Sequence, residues 1–339
     1  MDLAVAILVG GAGTRLWPLS TPALPKPFVS LGPLGQLYPQ TVGRAQALNP
    51  CSVMALASPF MRPFCESPGV TFLEEPCARN TAAAVALAAS AAQGKVGDDA
   101  CLIVLPSDHL IPDAEAFVQS VRLLVDGCLK ERALGVMGIN PAGPETAYGY
   151  IIQERQSGSV SPVERFVEKP DGQRARDLLA SGRAFWNSGI FCFPLQVLRQ
   201  EMMIHCPAYL RAAEAWRLGG DPKPYEELDS TSIDYALMER TDRTVMVRAD
   251  FAWSDLGTFR SLHQVLPKDP AGNSGWGPGR VEACRDCLVI TRRAETLVSG
   301  LSGHAVVETE EGLLAVPLDR AGDIRSGVEK ILEEKRNPV

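Results

Sequence analysis

The chain has 339 residues, 46% of them hydrophobic and 22% charged, which suits a soluble globular protein with one large domain and a small one and excludes a chain dominated by disorder. Its formal net charge of −7 excludes nonspecific nucleic-acid binding, which rests on a Lys and Arg surplus, so an anionic ligand has to be held by a local positive site. No stretch approaches the roughly 20 apolar residues of a membrane span, and the N-terminus carries no basic leader, so a cytoplasmic protein without membrane contact is expected.

Leu3 to Val9 is a short apolar run flanked by turn residues, and it predicts a buried strand. It delivers Gly10-Gly11-Ala12-Gly13-Thr14-Arg15-Leu16, followed closely by Pro25-Lys26-Pro27-Phe28. Glycines let backbone N–H groups approach phosphate oxygens, and Arg15 and Lys26 add the positive charge that the backbone lacks. The pattern suits a nucleoside triphosphate. It is not the dinucleotide fingerprint, because Leu16 stands where a third glycine is needed, and no Gly-Lys-Ser/Thr exists for a P-loop.

Further strands are predicted at Val53 to Ala57, Cys101 to Leu105 and Leu134 to Ile139. They alternate with helices over the alanine-rich Thr81 to Gln93, capped by Asn80 or Thr81 and closed by Gly94, and over Ala114 to Glu131. Such alternation predicts an α/β fold: a Rossmann-like mixed, mainly parallel sheet with helices on both faces. Ligands in such sheets bind beyond the carboxyl ends of the strands, where the glycine loop and Asp108 both fall.

Antiparallel strands are predicted between Gly143 and Pro170, with another at Trp186 to Phe193. A boundary is placed at residue 265, dividing a catalytic domain, 1–265, from a small C-terminal β domain, 266–339. The latter holds short β segments at Cys287 to Thr291, Thr296 to Ser299, Ala305 to Thr309 and Gly312 to Val316, then an amphipathic helix from Ile324 to Lys335. Nine cysteines, an odd number, suit a reducing compartment, and the lone C-x-x-C of Cys284 and Cys287 reads as structural.

The glycine loop resembles the signature of the sugar-1-phosphate nucleotidylyltransferases. The resemblance recurs at Glu75-Pro76 to Arg79-Asn80-Thr81-Ala82, Pro106-Ser107-Asp108-His109, Tyr148-Gly149-Tyr150, Phe166-Val167-Glu168-Lys169-Pro170, Trp186-Asn187-Ser188-Gly189, Ser232-Ile233-Asp234-Tyr235 and Trp253-Ser254-Asp255-Leu256-Gly257. These blocks narrow it to the mannose-1-phosphate guanylyltransferase family, whose reaction is attack by the sugar phosphate on the α-phosphorus of GTP. The sequence departs from the family pattern at Ala83, where relatives commonly carry proline.

The resemblance implies catalytic roles for Arg15, Lys26, Asp108 and Asp255, with Asp108 and Asp255 as ligands of Mg²⁺ or another divalent cation. Gly10, Gly11, Gly13, Thr14, Arg15, Lys26, Glu75, Asn80, Thr81 and Asp108 fall where the family binds the nucleotide. Glu75 is the residue expected to read guanine, whose N1–H and exocyclic amine are two adjacent donors suited to one carboxylate. Tyr148, Gly149, Glu168, Lys169, Asn187 and Asp234 fall where it binds the sugar phosphate, in a lobe spanning residues 143–240. GTP and mannose 1-phosphate are the implied partners, and relatives of this kind are often dimers, so a homodimer is expected by analogy. Two alternatives stay open: the same chemistry on glucose 1-phosphate with UTP, dTTP or ATP, and a catalytically silent nucleotide-sugar-binding regulator.

Overall fold

The structure, a computed structural model, describes residues 2–11, 14–154 and 158–336. Its internal contacts divide the chain into two compact units. The larger comprises Met1–Gly10, Pro39–Ser107 and Ile111–Trp253; the smaller comprises Gly11–Tyr38, Asp108–Leu110 and Ser254–Val339.

In chain order the strands of the larger unit are β1 (Leu3–Leu8), β2 (Ser52–Ala57), β3 (Val70–Glu74), β4 (Cys101–Pro106), β5 (Leu134–Ile139), β6 (Tyr150–Gln153), β7 (Val160–Val167), β8 (Ala184–Pro194) and β9 (Thr244–Arg248). Its helices are α1 (Leu37–Ala47), α2 (Arg62–Cys65), α3 (Asn80–Val96), α4 (Ala114–Glu131), α5 (Gly172–Ala180), α6 (Leu195–His205), α7 (Pro207–Gly219) and α8 (Lys223–Glu226). The described strands form one sheet in the order β3-β2-β1-β4-β8-β5-β9-β7-β6. Its first four strands are mutually parallel. The long β8 then runs antiparallel to both β4 and β5, so the sheet is mixed.

Helices cover both faces, as the sequence pattern requires. The alanines of α3 share one apolar core with Ala4 and Ala6 of β1 and Leu102 of β4, strands that the helix contacts, and that core also holds Leu134 and Val136 of β5. Gly135, which points to the opposite face by strand alternation, lies against Leu124 and Cys128 of α4. Small residues let α3 approach the sheet closely, and β1, β2, β4 and β5 are buried on both sides, which is why they read as near-continuous apolar runs.

One expected boundary is corrected. Helix α3 does not close at Gly94 but continues to Val96, and Gly97, with φ +79°, ends it by donating its N–H to Gln93 O. Glycine suits that left-handed turn, whereas Gly94 is one more small residue on the helix. The expected cap is corrected too: Asn80 is the first residue of the helix, and Arg79 stands at the cap position with no side-chain cap hydrogen bond; Asn80 Oδ1 accepts from Thr81 N, and Ala82 N donates to Thr231 O.

The smaller unit contains α9 (Phe259–Val265), strands β10 (Ser274–Trp276), β11 (Arg280–Glu282), β12 (Leu288–Ile290), β13 (Leu297–Ser299), β14 (His304–Thr309) and β15 (Gly312–Pro317), and α10 (Arg325–Arg336). Successive passes stack in parallel, β10 on β12 on β14 in one sheet and β11 on β13 in another, and β15 folds back antiparallel on β14. Leu16, Leu19, Val29 and Leu31, from the segment after the glycine loop, pack with Phe259, Leu262, Ile290 and Val307. That shared apolar cluster places the N-terminal loop in this unit. Cys284 and Cys287 are unpaired thiols buried with Val289, Val298 and Val306. No described helix is long and apolar enough to cross a membrane.

Candidate active site

In the smaller unit the glycine loop ends in a 3₁₀ turn, Thr14–Leu16, with Arg15 exposed. Gly11 has φ +101°, and a side chain added at Gly10 or Gly11 would meet no atom of the described residues within 4 Å. Ala12 and Gly13 lie outside the described residues, and with them the expectation placed on Gly13.

Lys26 is buried, 7% exposed, in a second short turn, Lys26–Phe28. Its ammonium lies 2.7 Å from Asp108 Oδ2 and also donates to the backbone carbonyl of Asp255. Asp108 and Asp255 belong to segments joined by a two-way backbone bridge: Leu110 N donates to Ser254 O at 2.9 Å and Ser254 N to Leu110 O at 3.1 Å. The Asp255 turn is fixed further by Gly257 N, which donates to Asp255 Oδ1 at 3.1 Å, and by Leu256 in the left-handed region at φ +44°. The expected pair of aspartates, 147 residues apart in sequence (255 − 108), is therefore brought together with Lys26 by local backbone geometry.

Burial alone would raise the Asp108 carboxyl, but the Lys26 ammonium overrides it, helped by His109 at 3.8 Å, and the net result is below the usual carboxylate range. Asp108 is thus ionised at neutral pH. Among the described residues no group of three or more His, Cys, Asp or Glu side chains could hold a metal alone. Two hard carboxylates, one firmly ionised, fit an oxygen-loving divalent cation whose other ligands are water and substrate oxygens.

The larger unit holds two further groups. In the first, Glu75 follows β3, with its N–H bonded to Ala57 O at 3.0 Å. Its Oε1 accepts from the hydroxyl of the fully buried Tyr225 at 2.9 Å. Burial pushes the Glu75 carboxyl up to about 7, with the Tyr225 hydrogen bond pulling the other way. Thr81 Oγ1 accepts from Ile233 N at 2.8 Å, so this residue ties down the loop leading to Asp234. Nothing in the sequence singled out Tyr225: it lies 150 residues from Glu75 (225 − 75), in the unremarkable run Pro222-Lys223-Pro224-Tyr225.

The second group gathers the residues expected to meet the sugar phosphate. Glu168 is buried, 9% exposed; its Oε1 pairs with Lys169 Nζ, and its Oε2 has no hydrogen-bond partner among the described residues. A side chain at Gly149 would collide with that Oε2, so the glycine keeps the oxygen clear. Asn187 Nδ2 donates to Asp234 Oδ1 at 2.9 Å, and Asn187 Oδ1 accepts from Gly189 N at 3.0 Å, which fixes the amide orientation. Burial and the neighbouring Glu168 push Asp234 up to about 6. Lys169, at φ +45°, is raised: burial opposes the charge, but Glu168 and Asp234 outweigh it. Tyr148 packs edge-on against Trp186 and Trp253, with ring centres 5.1 and 5.5 Å away. Glu239, which the sequence did not mark, accepts from Glu168 N at 2.7 Å and anchors the turn.

A buried acid with an open oxygen beside a glycine and a lysine is suited to vicinal hydroxyls and a phosphate. Comparisons with known proteins show the family. Residues 4–272 match the family model described as nucleotidyl transferase. The chain is 35% identical to a mannose-1-phosphate guanylyltransferase of Sinorhizobium fredii, over 97% of its own length and 68% of the relative's. It is 36% identical to the xanthan biosynthesis protein XanB of Xanthomonas campestris, over 99% and 74%. A crystal structure from Thermus thermophilus, named as a mannose-1-phosphate geranyltransferase, superposes with a TM-score of 0.89 at 32% identity, covering 98% of this chain and all of that one. The chain is a nucleotidyl transferase, and it belongs with the mannose-1-phosphate guanylyltransferases within that family.

Proposed function

We propose that the protein transfers GMP from GTP to α-D-mannose 1-phosphate, releasing pyrophosphate and forming GDP-mannose. The observation that carries this reading is the buried Lys26, whose one ammonium engages both the Asp108 carboxylate and the Asp255 carbonyl. A lysine so placed, together with an exposed Arg15, supplies fixed positive charge for a triphosphate within an acidic protein.

The attacking group is already an anion, because a phosphate monoester has its second pKa near ~6. No base has to remove a proton from it, and positioning with charge neutralisation carries the step. The nonbridging phosphate oxygen forms a bond to the α-phosphorus as the bond from that phosphorus to the pyrophosphate oxygen breaks. Arg15 neutralises the departing pyrophosphate, and Lys26 holds the reacting phosphates. Lys169 grips the sugar phosphate, while Glu168 Oε2 accepts hydrogen bonds from ring hydroxyls. Glu75 accepts from guanine N1–H and its amine. Asp108 and Asp255 would hold a divalent cation, which when bound supplies further positive charge at the reacting phosphates.

The names of the relatives and the oriented carboxylate at Glu75 support mannose and guanine over the other sugar and base pairs. The test is pyrophosphate release with Mg²⁺, crossing mannose 1-phosphate and glucose 1-phosphate against GTP, ATP, UTP and dTTP. Turnover confined to GTP with mannose 1-phosphate is expected. Turnover in another combination keeps the reaction class and moves the substrate; binding without turnover supports a silent regulator.

A further inference from the structure

Glu75 is braced by parts of the chain that no motif marks. Its own N–H is held by the sheet, and the preceding carbonyl, Glu74 O, accepts from Trp216 Nε1 on α7 at 2.9 Å. Its carboxylate accepts from Tyr225 on α8, and among the described residues no other side chain donates to it. The Cys77 thiol, raised by burial, feels the charges of Glu75, Arg79 and Glu226, and the Arg79 guanidinium donates to the backbone carbonyl of Glu226. Tyr225 is fully buried, and burial together with Glu75 pushes its phenol far above the ordinary value, so it remains a donor at every accessible pH.

The two protonation states of Glu75 present different faces to a base. An ionised carboxylate offers acceptors only and matches the two adjacent donors of guanine, N1–H and the exocyclic amine. A protonated carboxyl offers one donor and one acceptor, the complement of adenine N1 and its 6-amino group. A buried neutral hydroxyl donating to the carboxyl binds the ionised state more strongly than the protonated one, and so favours the first state over the second.

We propose that Tyr225 is a positioning residue for base choice: its hydroxyl holds Glu75 as an acceptor-only carboxylate that selects guanine, and losing that bond turns the same side chain toward adenine. The proposal rests on the reading of Glu75 as the residue that meets the base. It makes selectivity depend on pH, because the buried carboxyl of Glu75 titrates near neutrality.

The experiment measures kcat/KM for GTP and for ATP with mannose 1-phosphate, from about pH 5.5 to about pH 8.5, in the unmodified protein, Tyr225→Phe and Glu75→Gln. Both nucleotides carry the same triphosphate, so effects of pH on phosphate or metal cancel in the GTP/ATP ratio. We expect the ratio in the unmodified protein to fall as pH drops through about 7, because protonation removes the acceptor that guanine needs. In Tyr225→Phe it falls about tenfold at neutral pH and its midpoint moves to higher pH, the shift of one pKa unit being tenfold. In Glu75→Gln the ratio is altered and no longer varies with pH. If Glu75→Gln changes the ratio while Tyr225→Phe leaves both ratio and midpoint unchanged, the role of Tyr225 is overturned and that of Glu75 stands. If Glu75→Gln leaves the ranking unchanged, the base-reading assignment itself fails, and the proposal with it. Should circular dichroism show Tyr225→Phe unfolded, the unmodified protein decides: a ratio that falls with falling pH supports the proposal, and a flat one overturns it.

Discussion

Lys26 illustrates how a single side chain does several jobs. Buried, it loses hydration, which two oxygens on separate segments replace, and in return it holds Asp108 ionised. If Lys26 meets the triphosphate as proposed, Lys26→Ala removes charge from the phosphates and loosens the Asp255 turn, and we expect kcat to fall by about 100- to 1000-fold, the scale of losing one preorganised donor. Pyrophosphate release under saturating substrates checks this. Gly149 is a second critical position, since a methyl group there meets Glu168 Oε2 and Asn187 Cβ, the latter at 3.3 Å. Gly149→Ala should raise KM for the sugar phosphate about tenfold or more, and KM for the nucleotide little, as read by initial rates against each substrate. Lys26, Asp108 and Gly149 each sit in a short motif, which is what singled them out in the sequence. Tyr225 and Glu239 were not singled out, since their contacts to Glu75 and Glu168 cross 150 and 71 residues (225 − 75; 239 − 168) and leave no local signal.

At the scale of elements, two patterns were legible to their ends. Helix α4 spans Ala114–Glu131 as its apolar spacing dictates, capped by Asp113 Oδ1 accepting from Ala116 N at 2.9 Å. Strand β5 matches its apolar run, Leu134–Ile139, because it is buried on both faces. Strand β3 is less visible, with an only partly buried Val70–Glu74, and α6 and α7 adjoin at Cys206-Pro207, where proline interrupts the periodicity. Helix α9 depends on a local device: Thr258 Oγ1 accepts from Ser261 N, and Ser261 Oγ accepts from Thr258 N, closing both ends of a capping box. Thr258→Ala should cost about 1 kcal/mol of stability. Because the cap lies three residues after Asp255 in sequence, a urea titration followed by an activity assay separates lost stability from a displaced turn.

For the whole molecule, the division into units is where sequence order misleads most. The reading at residue 265 follows composition, whereas the contacts assign Gly11–Tyr38 and Asp108–Leu110 to the unit that carries Ser254–Val339. Long-range packing of Leu16 and Leu31 with Phe259 and Ile290 produces that grouping, and no window of sequence contains both sides. A pH dependence of stability also belongs at this scale. Glu75 and Asp234 both have raised carboxyl groups, at about 7 and about 6, so the folded chain binds protons more tightly than the unfolded one. Their contribution is fully present below the unfolded values near pH 4 and is lost as pH rises through 6 and 7. Asp108 acts in the opposite sense and only at lower pH: its depressed group favours the fold above the unfolded value and ceases to do so in acid. We expect unfolding free energy from urea titrations to decline between about pH 5 and about pH 8, and the decline to be shallower in Glu75→Gln and Asp234→Asn. An equal slope in all three proteins would contradict the assignment of these two buried acids.

The most direct measurement is pyrophosphate release by the purified protein with Mg²⁺, GTP and mannose 1-phosphate, run beside Asp255→Asn and against ATP, UTP, dTTP and glucose 1-phosphate. Turnover confined to GTP with mannose 1-phosphate, and lost in a folded Asp255→Asn, is the result expected if Lys26, Asp108 and Asp255 form the reaction centre. Silence with every pair, or full activity in Asp255→Asn, would contradict that account.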